Sequence, residues 1–327
     1  MSDASVALVS LEEIQAAAAR LAGVVRVTPV LPVALPGEPS AFLKCENLQL
    51  AGAFKIRGAY NFLVQLPDEA RRCGVITYSS GNHGQGVALA ARLLGTQAVI
   101  VMPTTAPAVK IDGARGFGAE VLFEGTTSTE RKVRAEREAK DRGLTIVPPF
   151  DDPRIIAGQG TVGLDVLDQC PDVARVIVPI GGGGLAAGVS AAVKLRKPAV
   201  QVIGVEPVGA AAMRESRATG RPVTLAKSES VADGLLPVRP GDLNFAHVQA
   251  YMDDIVTVSD AEIVAAVHWL FRRAHLVVEP SGAASVAALL QLRARGDELE
   301  PTVAVISGGN ISLETLVSLV SPGPLSV

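Results

Sequence analysis

The stretch RVIVPIGGGGLAAGVSAAVK, residues 175–194, places a short apolar run, four consecutive glycines and an alanine-rich segment in direct succession. The run of Val and Ile side chains predicts a buried strand, and the segment Leu185–Lys194 predicts a helix. A strand that leads through a glycine turn into a helix is typical of parallel α/β sheets. The stretch therefore indicates an α/β protein with a glycine turn at the carboxyl end of a strand.

The same alternation of short Val- and Ile-rich runs with longer helical segments continues along the 327-residue chain. Capping boxes at Ser10–Glu13 and Ser259–Glu262 predict two helix starts, and a further helix is predicted from about Gly282 to Arg295. The segment Arg221–Asn244, which contains several Pro and Gly residues, predicts a long surface loop. The predicted strands are Ala41–Glu46, Val75–Ser79, Gln97–Met102, Glu120–Phe123, Thr145–Pro148, Arg175–Ile180, Val200–Val205, Asp254–Val258 and Thr302–Ile306.

The order of these elements predicts two domains, for which a chain of 327 residues is long enough. Each predicted strand between residues 75 and 148 has its own neighbouring helix, so residues 50–149 can close as a small α/β unit. We therefore predict a large domain of residues 1–49 and 150–327, into which a small domain of residues 50–149 is inserted.

Composition limits the setting in which this chain works. A hydrophobic content of 48% and a net charge of -3 describe a globular protein and give no indication of nucleic-acid or anionic-membrane binding. Three widely spaced cysteines, Cys45, Cys73 and Cys170, predict neither a disulfide framework nor a zinc site. The N-terminus lacks the pattern of a secretory signal, and no apolar run reaches the roughly 18 residues of a membrane span. These features predict a cytoplasmic protein that neither binds nor crosses a membrane.

Lys55 lies within Ala53–Ala59, among aromatic and aliphatic neighbours and two residues from Arg57. Apolar surroundings and a nearby cation both lower the pKa of an ammonium group, which makes the free amine available to react with a carbonyl. From this segment alone, an ordinary helix lysine that reaches solvent is the simpler interpretation.

Two further turns place polar side chains where predicted strands end. Ser79–His83 gathers hydroxyl, amide and imidazole groups at a helix N-terminus, which suits a carboxylate, and Asn82 can donate to a phenolic oxygen. Ser307, at the start of Ser307–Asn310, can form a hydrogen bond with a ring nitrogen. Simple helix capping explains one serine of the first turn, and an ordinary turn is the alternative for the second.

The glycine turn Gly181, Gly182, Gly183 and Gly184 lets backbone N–H groups approach an anion closely, which suits a phosphate monoester. The pattern Gly182-x-Gly184-x-x-Ala187, with Glu206 further along the chain, also matches a degenerate dinucleotide fingerprint. A nicotinamide-dependent dehydrogenase is therefore a distant alternative. A reactive lysine, a phosphate turn, a carboxylate loop and a hydroxyl for a ring nitrogen together predict pyridoxal 5′-phosphate acting on an amino acid.

Seven motifs follow one another in an order that spans nearly the whole chain. They are Glu46-Asn47-x-Gln49, Phe54–Ala59, Ser79–Gln85, Ile156–Thr161, Gly181–Gly184, Ala232-Asp233-Gly234 and Ser307–Asn310. Together they resemble the serine/threonine dehydratase and serine racemase family. This resemblance implies the tryptophan synthase β-like fold of fold-type II pyridoxal phosphate enzymes, with two open, twisted, mostly parallel α/β domains and the cofactor between them.

The resemblance also assigns roles to individual residues. Lys55 is implied to bind the cofactor covalently and to take the α-proton of the substrate, with Ser80 as a second acid or base that would permit some racemisation. The remaining implied roles are Phe54 and Gly234 beside the cofactor ring, Asn82 at its 3′-oxygen, Gly181 to Gly184 at its phosphate, Ser307 at its pyridine nitrogen, and Ser79, Ser80, Gly81, Asn82 and His83 at the substrate.

The activity implied by the resemblance is a threonine or serine ammonia-lyase, which converts L-threonine or L-serine to a 2-oxo acid and ammonia. A hydroxyl at Ser307 keeps the pyridine nitrogen largely neutral, which favours elimination over transamination. Serine racemase and 3-hydroxyaspartate dehydratase are the alternatives, although Glu130 stands where racemases have a substrate-linked arginine.

Three further expectations follow from the resemblance. A homodimer is expected. Because the chain ends at Val327, no regulatory domain is expected. Glu206 and the carbonyl of Ala210 match a divalent-cation site, but Ala212 stands in place of its last acid, which puts the cation in doubt.

Overall fold

The computed structural model describes residues 7–35, 38–79, 81–106, 108–295 and 300–321. Strands alternate with helices, as the sequence predicts. The strands are β1 (Val30–Leu35), β2 (Glu38–Cys45), β3 (Val75–Thr77), β4 (Ala98–Met102), β5 (Glu120–Phe123), β6 (Thr145–Ile146), β7 (Arg175–Pro179), β8 (Gln201–Pro207), β9 (Asp254–Val258) and β10 (Thr302–Ile306). The α-helices are α1 (Leu11–Leu21), α2 (Lys55–Leu63), α3 (Asp68–Cys73), α4 (Asn82–Leu93), α5 (Ala108–Gly116), α6 (Ser128–Arg142), α7 (Pro153–Gln169), α8 (Gly184–Arg196), α9 (Ala212–Thr219), α10 (Asp242–Tyr251), α11 (Asp260–Trp269), α12 (Pro280–Ala294) and α13 (Leu313–Val320).

The larger sheet has six strands in the order β1-β2-β10-β7-β8-β9. All neighbours in it run parallel except β1 and β2, which pair antiparallel. β1 is missing from the predicted strands. It contains Pro32, which argues against a central strand and is tolerated here because β1 lies at the edge of the sheet.

The smaller sheet has four parallel strands in the order β5-β4-β3-β6. All four come from residues 75–146, which lie within the predicted small domain. Two sheets of mostly parallel strands confirm the predicted α/β fold class. The domain limits at residues 50 and 149 stay a prediction.

Alternate side chains of β10 explain why the central strands are apolar throughout. Ala304 and Ile306 pack into a core with α11 and α12, whereas Val303 and Val305 pack into a second core with α7 and α8. Successive side chains of a strand point to opposite faces. The six-stranded sheet is therefore covered by helices on both faces, as parallel sheets usually are.

A buried cluster of charges fixes α2 against β2 and α7. The Arg57 guanidinium donates to both carboxylate oxygens of Glu46 at 2.8 Å and to Asp165 at 2.7 Å. Lys44 donates to the same Asp165 at 3.1 Å. Arg57 and Glu46 are 2% and 0% exposed, so their charges compensate each other away from water. The cluster joins β2, α2 and α7 and holds the start of α2, where Lys55 lies.

Some predicted boundaries need correction. The predicted surface loop Arg221–Asn244 is shorter than expected, because α10 begins at Asp242. Ala232 and Leu235 within it are buried, since they pack into the core beside α12. Across the described part of the chain, none of the helices combines the length and the apolar composition that crossing a bilayer requires.

Candidate active site

Three predicted site loops follow parallel strands at their carboxyl ends. Gly181–Gly184 follows β7, Ser307–Asn310 follows β10, and Asn82 begins α4 after β3. Because β7 and β10 are neighbours in the sheet, the first two loops emerge at the same edge. In open parallel sheets, ligands bind at this edge.

Lys55 is the first residue of α2, and Phe54 immediately precedes the helix. The Lys55 Nζ donates a hydrogen bond to the carbonyl oxygen of Pro149 at 2.9 Å and lies 5.2 Å from the centre of the Phe54 ring. A neutral carbonyl and an aromatic ring contact this amine, while part of the side chain stays accessible. Neither contact supplies a negative charge that would hold the amine as an ammonium ion.

Desolvation lowers the pKa of Lys55 to about 8, which confirms the direction expected from the sequence. Arg57, which was expected to lower the pKa of Lys55 further, does not contribute to this shift. Its charge is compensated by Glu46 and Asp165. Burial is thus the physical reason why Lys55 is poised to lose its proton near neutral pH.

His83 is buried, with Nε2 3.2 Å from the carbonyl oxygen of Val147. Burial, together with the charge of Lys55, lowers the pKa of His83 to about 3, so the ring is neutral. A neutral ring that donates from Nε2 leaves Nδ1 as an acceptor. This Nδ1 finds no partner among the described residues.

The glycine turn is closely surrounded, and added side-chain atoms would not fit. A Cβ on Gly182 would lie 2.2 Å from the Phe150 ring, and one on Gly184 would lie 3.0 Å from the Cβ of Phe150. Gly183 has a φ of 99°, which side chains disfavour. Because Gly184 begins α8, the first N–H groups of this helix have no acceptor within the helix. The turn therefore offers backbone donors to an anion such as phosphate.

The segment Pro149–Asp151 connects the lysine with the glycine turn. Pro149 accepts the hydrogen bond from Lys55, and Phe150 packs against Gly182. The Asp151 carboxylate accepts backbone N–H groups in the first turn of α10 at 3.0 Å. These contacts were not predicted, because no local sequence pattern shows which aromatic ring faces a glycine turn.

The loop after β10 contacts both the lysine segment and α4. The N–H of Phe54 donates to the carbonyl oxygen of Ser307 at 3.1 Å. The Asn82 Oδ1 accepts from Asn310 at 2.8 Å, and its Nδ2 donates to Glu279 at 2.5 Å. Hydrogen bonds thus connect the segments that contain Lys55, Asn82 and Ser307, whose roles stay a prediction. The structure adds Glu279, whose signal in the sequence is an acid directly before the proline that begins α12.

The other predicted site residues occupy different surroundings. Gly234 lies beside the glycine turn, because a Cβ on Gly181 would be 2.9 Å from its carbonyl oxygen. Its N–H donates to the Ser281 hydroxyl at 2.8 Å. The Ser79 hydroxyl accepts from the N–H of Gly81 at 3.3 Å within the turn, but it is not the cap of α4, because Gly81 is the N-cap residue of that helix. Ser80 lies outside the described residues.

Glu206 does not have the surroundings of a cation ligand. Its two carboxylate oxygens accept the N–H groups of Met213 and Arg214, each at 2.8 Å. Burial raises the pKa of Glu206 to about 7. Ala210 lies in the short turn that follows β8, and among the described residues no group of three or more His, Cys, Asp or Glu side chains is arranged to hold a metal. These residues do not fit a divalent cation.

The fold and these contacts define an α/β protein in which a desolvated lysine amine is linked through Pro149 and Phe150 to a glycine turn at the carboxyl end of β7. Residues 21–308 match the family described as pyridoxal-phosphate dependent enzymes, and the chain belongs to that family. Family membership confirms the predicted resemblance. It also replaces the alternative of a nicotinamide-dependent dehydrogenase. That alternative needs Glu206 as a ligand of the dinucleotide, but Glu206 is fully buried and accepts backbone N–H groups.

Similar proteins carry related names. The L-threonine ammonia-lyase of Thermotoga maritima is 42% identical over 97% of this chain and 79% of its own length. A catabolic L-threonine dehydratase of Staphylococcus aureus is 40% identical over 97% of this chain and 93% of its own length. The structure of maize serine racemase matches with a TM-score of 0.91 and 38% identity, covering 95% of this chain and 97% of that one.

The residues of the cleft fit pyridoxal phosphate. This cofactor presents an aldehyde, a phosphate, a phenolic oxygen and a pyridine nitrogen to the protein. The cleft offers an amine with a pKa of about 8 at Lys55 and a turn at Gly182 that excludes even a methyl group. Asn82 and the buried Ser307 add an amide and a hydroxyl close to the lysine segment.

Proposed function

We propose that this chain is a pyridoxal-phosphate-dependent ammonia-lyase that converts L-threonine or L-serine to a 2-oxo acid and ammonia. The observation that carries the proposal is the desolvated Lys55 amine, joined through Pro149 and Phe150 to the glycine turn. The names of relatives that are 40% to 42% identical over 97% of the chain support the same substrate class.

Each group of the cofactor would be held by a different loop. Lys55 would form the covalent bond, the N–H groups of Gly181–Gly184 would bind the phosphate, and Asn82 would donate to the phenolic oxygen. Phe54 and Gly234 would lie beside the ring, and Ser307 would face the pyridine nitrogen without protonating it. Support comes from the loops after β7 and β10, which emerge at the same edge of the larger sheet, and from the hydrogen bonds that connect the loop after β10 with Phe54 and Asn82.

The chemistry of the chain's own residues follows from their pKa values. When bound, the cofactor withdraws electrons from the α-carbon of the substrate. Lys55 would then take the α-proton, since a pKa of about 8 leaves part of the amine neutral near pH 7. His83, with a pKa of about 3, stays neutral and adds no competing positive charge. Lys55 would return the α-proton to the β-hydroxyl group, which leaves the β-carbon as water, and hydrolysis of the dehydrated product releases a 2-oxo acid and ammonia.

Serine racemisation is the second candidate, supported by the similarity to maize serine racemase. Glu130, which replaces the substrate-linked arginine of racemases, belongs to the capping box of α6 with Thr127. Its carboxylate accepts from the Thr127 hydroxyl at 2.7 Å, so it is engaged in starting this helix. Ser128–Arg131 is therefore helical rather than a loop, and this position favours elimination over racemisation.

A substrate panel tests the proposed function. With the cofactor bound, we expect 2-oxo acid release to be fastest with L-threonine or L-serine and slower with D-serine and 3-hydroxyaspartate. The measurement is kcat/KM for 2-oxo acid release, with chiral chromatography of the remaining serine. No 2-oxo acid from any of these substrates would contradict the lyase proposal, and formation of D-serine faster than 2-oxo acid would favour the racemase.

The glycine turn provides a test of cofactor binding. Gly182→Ala is expected to weaken pyridoxal phosphate binding by about tenfold or more, because the added Cβ would collide with Phe150 at 2.2 Å and displace the backbone donors. The control is Gly116→Ala at the end of α5, where a Cβ meets nothing within 4 Å. Equilibrium dialysis gives both affinities, and equal affinities for the two variants would argue against a phosphate site at this turn.

A homodimer and a cytoplasmic location belong to the same proposal. Leu313 and Val317 lie one turn apart on α13 and are 69% and 49% exposed. An exposed apolar face of this kind supports association with a second copy. Sedimentation at several protein concentrations measures the oligomeric state.

A divalent cation is no part of the proposal, because the surroundings of Glu206 do not fit one.

A further inference from the structure

Glu279 is a buried acid without a cationic partner among the described residues. It is 6% exposed and immediately precedes α12. Burying a carboxylate is costly unless hydrogen bonds or opposite charges compensate it. The Asn82 Nδ2 donates to its Oε1 at 2.5 Å, and the charges that act on it are those of Asp233 and Lys110, which form an ion pair with each other.

The position of Glu279 decides how the Asn82 amide is oriented. An ionised carboxylate only accepts hydrogen bonds, so it selects the NH2 end of Asn82. On the other side, the Asn310 Nδ2 donates to the Asn82 Oδ1 at 2.8 Å. The two neighbours require the same orientation, and the second hydrogen of the Asn82 Nδ2 is left for a third partner.

The loop after β10 is shaped around this contact. A Cβ on Gly308 would lie 2.3 Å from the Glu279 Oε1 and 2.9 Å from the Asn82 Nδ2. The backbone N–H of Glu279 also donates to the carbonyl oxygen of Gly308 at 3.2 Å. Gly308 follows Ser307 directly, so Glu279 contacts both loops that carry the proposed ring ligands.

We propose that Glu279 is a positioning residue that holds the Asn82 amide as a hydrogen-bond donor toward the phenolic oxygen of pyridoxal phosphate. This inference rests on the proposed function, because it needs the cofactor in the cleft. It assigns to Glu279 a role that neither the sequence motifs nor the names of the relatives contain.

The carboxyl group of Glu279 also makes this contact sensitive to pH. Burial, and to a smaller extent the charge of Asp233, raise its pKa, whereas Asn82 and Lys110 lower it, and the net result is a pKa of about 7. Above this pKa the carboxylate only accepts, and the orientation of Asn82 is fixed. Below it the protonated carboxyl also donates, so the constraint on Asn82 weakens. The electronic state of the bound cofactor should therefore change as pH passes through about 7.

The test compares the holoenzyme with Glu279→Gln and with the control Glu69→Gln, which changes an exposed acid at the start of α3. In the wild type and the control, we expect the visible absorption band of the cofactor to shift with an apparent pKa near 7. In Glu279→Gln we expect no such shift, and about tenfold weaker pyridoxal phosphate binding in dialysis. Glu279→Asp keeps a shorter carboxylate, so we expect a pH-dependent absorption band and a weakened affinity for pyridoxal phosphate. If the Gln variant does not fold, this variant tests the proposed role of Glu279.

A pH-dependent band and wild-type affinity in Glu279→Gln would overturn the inference, as would loss of the shift in Glu279→Asp. Failure of the proposed function looks different. In that case the wild type itself shows no cofactor band, or it has a band but releases no 2-oxo acid.

Discussion

Lys55→Ala is expected to reduce 2-oxo acid release by roughly a thousandfold or more, because the variant loses both the covalent bond to the cofactor and the base for the α-proton. No other lysine amine is expected to replace it. Among the described residues, Lys44 donates to Asp165 and to the carbonyl oxygen of Thr28 inside the charge cluster. The measurement is kcat/KM with the best substrate of the panel, at saturating pyridoxal phosphate.

Borohydride reduction provides a readout besides activity. In the wild type, reduction should attach the cofactor to the peptide that contains Lys55, which mass spectrometry of a digest detects. Lys132→Ala, on the exposed surface of α6, is the matched control and should behave like the wild type in both measurements. If Lys55→Ala kept its activity, or if the cofactor were attached to a different lysine, the proposed mechanism would be wrong.

Arg57→Met is expected to lower the free energy of unfolding by about 3–5 kcal/mol, because it leaves the fully buried Glu46 without its cation. The change also removes the hydrogen bonds from α2 to Asp165 and to the Thr161 hydroxyl. Since these bonds hold the start of α2, we expect weaker cofactor binding at Lys55 as a second effect. Urea unfolding followed by circular dichroism measures the loss of stability.

The control for this prediction is Arg72→Met, which makes the same change on the exposed surface of α3. Surface substitutions of this kind usually change stability by less than about 0.5 kcal/mol. Equal destabilisation by the two variants would show that the charge cluster contributes nothing beyond the packing of one arginine side chain.

The central strands were predictable because each is a continuous run of apolar residues that is visible in the local sequence. Val303 to Ile306 and Val176 to Val178 are continuous apolar runs, as strands covered on both faces must be. The predicted limits of Glu120–Phe123, Asp254–Val258 and Thr302–Ile306 agree with the structure. β1 was not predictable in the same way, because a run that contains Pro32 forms a strand only at the edge of a sheet. The sequence alone does not show that β1 pairs with β2 at such an edge.

For Lys55, the local sequence predicts the correct direction of the pKa shift, but only one of the two expected causes holds. Its apolar neighbours predicted a lowered pKa, and desolvation lowers it to about 8. The second expected cause failed, because the Arg57 charge is compensated by Glu46, directly after β2, and by Asp165 in α7. A short segment reveals the character of a side chain, but the residues that compensate its charge come from elsewhere in the chain.

The sequence by itself determined the α/β class, the glycine turn, the candidate lysine and the family, because each of these depends on residue types in a local order. Only the tertiary structure decided which groups meet. Glu279 reaches Asn82 across 197 residues, and Lys55 reaches Pro149 across 94. Such contacts depend on how strands and helices from distant parts of the chain, including both sheets, pack against each other. The pKa values and hydrogen-bond directions that govern the chemistry arise at those contacts.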